Sequence, residues 1–300
     1  MKKVLVIVGP TAVGKSEFAM ALAKRYNGEI ISGDAYQCYK ELNIGSAKVS
    51  LQQQQEVVHH LIDEVGYKEV YNVKIFQEKA RAKIDDILNR NKLPIVCGGT
   101  GFYIKSLLYD YVFQEEKTDV DYQETLMQQD NENLFHALIK IDKKASEKLH
   151  PNNRKRVIRA LMMAHLGDKK SDIIEKQEHA LLFDAKIIGL TKQREHLYEA
   201  INQRVETLIE QGLKKEVMGL VESEADFQLQ SMQGIGYKEW LMYYQKQASI
   251  EDVVKKIQKN TRNFAKRQYT WFRNQMSVEW YDVEAQNFPE VILDNVEEWM

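Results

Sequence analysis

Residues 4–16, "VLVIVGPTAVGKS", leave this chain few folds to choose from. Val4 to Val8 form a continuous apolar run that Gly9-Pro10 ends, as expected of a strand buried on both faces of a parallel sheet. Behind it, Gly9, Gly14, Lys15 and Ser16 stand at the spacing of a loop that wraps phosphates. "KSEFAMALAKRY" then reads as a helix with Phe18, Ala19, Leu22 and Ala23 on one face. In a strand–loop–helix context, backbone N–H groups and a helix N-terminus make an anion site. Gly9, Pro10, Thr11, Ala12, Val13, Gly14, Lys15 and Ser16 are therefore assigned to a diphosphate-binding loop. Lys15 supplies a point charge there, and the Ser16 hydroxyl a ligand for Mg²⁺. The loop does not name its ligand, because any diphosphate fits it.

The same alternation continues downstream. "EIISGD" is a second short strand, "VKIFQEKARAKIDDILNRNK" a helix, "LPIVCGGTG" a third buried strand ending in a glycine turn, and "AKIIGL" at 185–190 a fourth. Strands alternating with helices predict an α/β, P-loop NTPase-like fold with a mainly parallel sheet and flanking helices. Between about 114 and 184 the chain turns polar and helical, without a convincing strand. The expected organisation is a catalytic core of residues 1–113 and 185–300, ending in long helices, with 114–184 inserted as a small all-helical subdomain. The last residues, "EWYDVEAQNFPEVILDNVEEWM", read as a strand and a final helix.

Three features bear on the chemistry. Asp34 stands at the end of the second strand, the edge of a parallel sheet where ligands bind. It can hold a metal-bound water, accept a proton, or simply form an Asx turn after Gly33. A conventional nucleotidase also wants an aspartate closing a later apolar strand, whereas "LPIVCGGTG" offers Thr100, which argues against γ-phosphoryl transfer. The third feature runs from Val253 to Val278, 26 residues with seven Lys or Arg and no acid. Val254, Ile257, Thr261, Phe264 and Trp271 are spaced as a buried helix face, beside a stripe of Lys255, Lys259, Arg262, Lys266 and Arg273. Solvated helix faces generally mix signs, so an acid-free stripe interleaved with aromatics points to nucleic acid. "NNRKRVIR", with Arg154, Lys155, Arg156 and Arg159, is a second basic cluster.

Net charge, −2 from 42 Lys and Arg against 44 Asp and Glu, names no partner by itself. Cys38 and Cys97 cannot build a disulfide framework and fit a reducing compartment. The N-terminal apolar run is too short for a signal peptide and no stretch approaches a membrane span, so a soluble cytoplasmic protein is expected. His59 and His60 precede Leu61-Ile62, while His136, His150, His165 and His179 are scattered, none with a companion Cys at zinc spacing.

Taken together, these residues make the chain resemble the tRNA dimethylallyltransferases, also called tRNA isopentenyltransferases. The likeness runs over nearly the whole length: "GPTAVGKS" (9–16), "ISGDAYQCY" (31–39), "LNIGSAK" (42–48), "HHLID" (59–63), "VCGGTGFYI" (96–104), "RVIRAL" (156–161), "LYEAINQRV" (197–205), "QGIGYKE" (233–239) and "FAKRQYTWFR" (264–273). The resemblance implies transfer of a dimethylallyl group from dimethylallyl diphosphate to the exocyclic amine of the adenine just 3′ of a tRNA anticodon. The loop then holds a prenyl diphosphate, carbon–oxygen cleavage replaces attack on phosphorus, and Mg²⁺ on Ser16 is the implied cofactor. It also implies that Asp34 accepts the amine proton, that Lys15, Thr100 and Arg204 serve the diphosphate and the reacting groups, and that Gln37, with its neighbours Ala35 and Tyr36, meets the extruded adenine. Lys155, Arg156, Val157, Ile158 and Arg159 of the insert, Gln233 and Gly234, and Lys259, Arg262, Lys266, Arg267 and Arg273 are implied to grip the anticodon stem-loop. The protein is expected to act as a monomer without a membrane partner.

Departures from the family pattern fall around the adenine pocket. Ala35-Tyr36 replaces Ser-Met, Ala200 replaces an arginine, and Ser46 replaces a threonine. Two rival enzymes share the loop. An isopentenyltransferase for free adenine nucleotides has no use for the basic patches, and a small-molecule P-loop kinase needs ATP turnover and lid arginines.

Overall fold

The structure, a computed structural model, describes residues 1–113, 119–167, 171 and 180–300. His179 and the predicted start of the insert at residue 114 lie outside the described residues. In chain order the elements are β1 (Lys3–Val8), α1 (Lys15–Arg25), β2 (Gly28–Ser32), α2 (Leu51–Glu56), β3 (His59–His60), α3 (Val73–Asn89), β4 (Leu93–Cys97) and α4 (Gly101–Leu108). Then come α5 (Val120–Met127), α6 (Asn131–Ile141), α7 (Lys143–Glu147) and α8 (Arg154–His165). After them follow β5 (Asp184–Thr191), α9 (Arg194–Glu210), α10 (Leu213–Glu222), α11 (Trp240–Tyr244), α12 (Ile250–Gln275), β6 (Glu279–Asp282) and α13 (Glu290–Trp299). Two compact units emerge, Met1–Tyr109 with Leu181–Met300, and Asp110–Ala180.

The larger unit is built on one six-stranded sheet in the order β3-β2-β4-β1-β5-β6, every pairing parallel. The parallel α/β architecture expected of "VLVIV" is therefore present. Strand geometry sends Val4, Val6 and Val8 into one apolar layer and Leu5 and Ile7 into the other, all fully buried. That double burial is why the run has no polar alternation. β3 at "HH" carries little strand signal of its own. It forms because Ile30 and Ile31 of β2 pair with His59 and His60, and His60 bonds the buried Glu29 carboxylate at 2.7 Å.

The smaller unit packs α5, α6, α7 and α8 around Leu134, Leu138, Val157 and Leu161. Asp130 and Asp142 cap α6 and α7 by accepting the Asn133 and Ala145 amides at 2.8 and 3.0 Å.

In α12 the buried face shares Ile257 with the one the spacing suggests but is centred on neighbouring positions. Val253, Ile257, Ala265, Gln268 and Phe272 are buried, whereas Val254, Phe264 and Trp271 sit at the border. The stripe turns because Gln268, a polar residue, points inward to satisfy backbone groups of two loops. A capping box between Ser249 and Asp252 starts this helix.

Candidate active site

The site lies at the carboxyl edge of the sheet, where β2, β4 and β1 are neighbours. After β1 the chain enters the loop of residues 9–14, and Gly14, left-handed at φ 97°, turns it into α1. Lys15 opens that helix and donates to the Pro10 carbonyl at 2.6 Å. After β4, the Gly98 amide continues the ladder to Ile7 O (3.1 Å) and the Gly33 amide does so to Cys97 O (2.8 Å). A Cβ on Gly98 would lie 2.4 Å from Gly33 O, so only glycine lets these two strand ends approach. That approach puts Asp34 and Thr100, one residue past Gly33 and two past Gly98, on adjacent strand ends beside the loop.

Asp34 forms the Asx turn that its position allows. Its Oδ1 accepts the amides of Tyr36 (2.8 Å) and Gln37 (3.3 Å), an Asx turn that aims the carboxylate, and Oδ2 stays outside this turn. Gln37 is held by the Ser32 hydroxyl, which donates to its Oε1 at 3.0 Å. Thr100 sits at the N-cap of α4 with its hydroxyl making no cap bond. Ser16 is exposed on the first turn of α1 with its hydroxyl unpartnered. Among the described residues no group of three or more His, Cys, Asp or Glu is placed to hold a metal ion. A cation here would rely on Ser16 and the oxygens of a bound ligand.

The electrostatics are those of an anion site. Lys15 is pushed down to about 8 from its ordinary 10.5, first by burial, with Cys97 and Asp34 opposing and the nearby Arg204 adding to the depression. Arg204, carried to the same place by α9, is itself lowered by burial, with Asp34 and Glu17 opposing. Two desolvated cations facing one carboxylate leave an excess of positive charge that a diphosphate would neutralise. The Cys97 thiol is raised to about 11, chiefly by burial, and Cys38 to about 12 for the same reason, so neither is a nucleophilic thiolate.

The remaining residues singled out from the sequence separate into groups. Tyr36 packs against Gly234, whose Cβ would lie 2.7 Å from the ring, and Gln233 is exposed with its amide bonded to Phe227 O. Along α12, Lys259, Lys266, Arg267 and Arg273 are exposed, with Arg273 over Tyr269 and Trp280. Arg262 instead donates to Asn202 of α9. In the smaller unit, Lys155, Arg156 and Arg159 lie on the outer face of α8. Val157 and Ile158 are at 0% and 9% exposure in that unit's core, so their side chains serve packing and are not offered to a ligand. Arg154 is spent on Asn131 and the Met127 carbonyl.

Several polar anchors are not legible in the sequence. Glu216 accepts the amides of Asn43, Ile44 and Gly45 and the Tyr237 hydroxyl, at 2.7–3.0 Å. Buried Glu239 ties Gly236 N to Asn260 of α12. Gln268 bonds the phosphate loop and the β4–α4 turn. A polar residue in phase with an apolar helix stripe is the one available signal for Gln268.

A P-loop-type α/β domain with two desolvated cations beside an oriented carboxylate is the class that fold and site define. Comparison with known proteins is narrower. The IPP transferase family model matches residues 37–275. The tRNA dimethylallyltransferase of Bacillus cereus (strain B4264) is 47% identical over 287 residues, covering 94% of this chain and 90% of that protein. The crystal structure of the tRNA isopentenylpyrophosphate transferase from Bacillus halodurans superposes with a TM-score of 0.74 at 37% identity, covering 99% of this chain and 95% of that one. A eukaryotic dimethylallyltransferase acting on tRNA superposes at 0.86 with 30% identity, over 99% of this chain and 78% of the other. The chain belongs to the IPP transferase family. Among the described residues no helix is long and apolar enough to cross a membrane.

Proposed function

We propose that this protein transfers the dimethylallyl group of dimethylallyl diphosphate to the N6 amine of the adenine immediately 3′ of the anticodon in tRNA. The products are N6-isopentenyladenosine and diphosphate. The observation that carries the chemistry is the juxtaposition of desolvated Lys15 and Arg204 with Asp34 at one sheet edge. The carbon–oxygen bond breaks with its electron pair going to the diphosphate. The amine nitrogen forms the new bond to carbon, and its proton passes to Asp34 Oδ2. Lys15, Arg204 and the loop amides meet the charge as it grows on the leaving group. Thr100, two residues past Gly98 on the neighbouring strand end, orients the reacting groups. Ser16 is the residue that would hold Mg²⁺, its exposed hydroxyl suiting a hard cation, and a metal ion there supplies further positive charge to the diphosphate oxygens. Gln37, Tyr36 and Ala35 line the approach of the adenine.

The test is to supply labelled dimethylallyl diphosphate with either tRNA or AMP. Label in tRNA alone is expected. Label in AMP would move the reading to the free-nucleotide enzymes, and steady ATP hydrolysis dependent on Lys15 would replace it with a nucleotidase.

RNA binding is proposed to use the exposed face of α12 and, in the smaller unit, Lys155, Arg156 and Arg159. Converting Lys259, Lys266 and Arg267 together to Ala should lower the slope of log affinity against log salt by roughly 0.7–0.9 for each phosphate that is no longer neutralised. Affinity for inorganic diphosphate should stay the same. Arg262→Ala should change the slope less, because its guanidinium already serves Asn202. Filter binding over a salt series reads both, and an unaltered slope in the triple variant would reduce the stripe to a solvated face.

A further inference from the structure

Gln268 is buried at 5% exposure on a helix whose outward face is basic, a position that an apolar side chain would ordinarily fill. Both ends of its carboxamide are bonded to backbone. Oε1 accepts the Thr11 N–H of the phosphate loop at 2.9 Å, and Nε2 donates to the Gly99 carbonyl at 2.9 Å. Thr11 N–H is therefore committed to the protein, not to an anion. The fit at Gly99 is exclusive: a Cβ there would lie 2.2 Å from Gln268 Nε2 and 3.4 Å from Gln268 Cδ, while the nearest atom of any other residue, Gly9 O, is at 3.6 Å. One turn on, Trp271 of the same helix fills the space beside Gly101. α12 thus joins the loop that carries Lys15 to the turn that carries Thr100 through a single side chain.

We propose that Gln268 is a positioning residue for the diphosphate cradle. Its carboxamide clamps the phosphate loop at Thr11 to the β4–α4 turn at Gly99, and so sets the separation between the loop amides and Thr100. It touches no substrate. The inference deepens the reading of the cradle as a diphosphate site, and inorganic diphosphate serves as the probe so that the two can fail separately.

The experiment is a double-substitution cycle on the full chain, with Gln268→Ala, Gly99→Ala and the pair. Affinity for inorganic diphosphate is measured by titration calorimetry and tRNA affinity by filter binding. Gln268→Ala removes the clamp directly. Gly99→Ala expels the same carboxamide while meeting no atom outside Gln268 closer than 3.6 Å. Each single change should weaken diphosphate binding about 5–10-fold, as expected when a pair of buried hydrogen bonds is removed. tRNA affinity should stay within about twofold. The double variant should match the singles, since the second Cβ enters space that the first substitution cleared, whereas independent sites would multiply to about 25–100-fold. Wild-type diphosphate affinity in Gln268→Ala, multiplicative effects in the pair, or a parallel loss of tRNA binding would each overturn the clamp. A wild-type protein that binds diphosphate but does not prenylate tRNA would overturn the functional reading and leave the clamp standing.

Discussion

Asp34→Asn is expected to give a folded protein that binds tRNA and dimethylallyl diphosphate nearly normally and transfers the prenyl group about 10²–10⁴ times more slowly in a single turnover. The structure makes asparagine an unusually clean substitution. Asp34 Oδ1 accepts the Tyr36 and Gln37 amides, and the asparagine carbonyl oxygen accepts the same two, so the Asx turn survives. What is lost is Oδ2 as a proton acceptor, because an amide takes up no proton near neutral pH. General-base assistance of that kind corresponds to roughly 3–5 kcal/mol in the barrier. Asp34→Ala separates the two roles, since it removes the turn as well. It should lose thermal stability and substrate affinity in addition to rate. Full single-turnover activity in folded Asp34→Asn would exclude Asp34 from proton transfer, and rescue of the rate by raised Mg²⁺ would make its role that of a metal support.

Asp34 also shows where sequence reading stops. Turn former and base look like alternatives because spacing along the chain cannot tell one carboxylate oxygen from the other. In the fold, Oδ1 accepts two amides of its own turn and Oδ2 takes no part in that turn. The loop and the strand ends are legible because their signals are local. Val4 to Val8 must be buried on both faces, and Gly14 must adopt a left-handed backbone to start α1. Arg204 carries no local mark. It is one cation on a mixed-charge helix until α9 brings it into the field of Asp34, so only the family resemblance points to it. The stripe on α12 is legible in charge but not in phase, because a helix face is assigned from apolar residues and here a glutamine occupies the inner face. Glu216 and Glu239 are invisible for the same reason. Each satisfies backbone amides of a loop, and such partners exist only after folding.

Lys15→Met is expected to abolish transfer and, at pH 7, to make the ligand-free protein more stable than the wild type. The ammonium is held among protein groups with Arg204 nearby, and burial leads in pushing it down to about 8 from 10.5. Below pH 8 the folded and unfolded chains both keep the proton, and the folded state bears the full cost of a desolvated charge. Between about 8 and 10.5 the folded state gives up its proton while the unfolded state retains it, so wild-type stability rises with pH through that window. A depression of this size corresponds to roughly 3 kcal/mol. Methionine is similar in length, carries no charge and removes only the bond to Pro10 O. The variant's advantage should therefore be roughly 3 kcal/mol at pH 7 and should shrink toward zero near pH 10.5, as read from paired urea melts across the range. Diphosphate binding runs the other way. Only the protonated amine attracts the anion, so wild-type affinity should fall above pH 8 by up to about tenfold per pH unit, a dependence that Lys15→Met should lack together with most of the affinity. A variant no more stable than wild type at pH 7 would mean that Lys15 is solvated in the free protein, and the cradle would then owe its excess charge to Arg204.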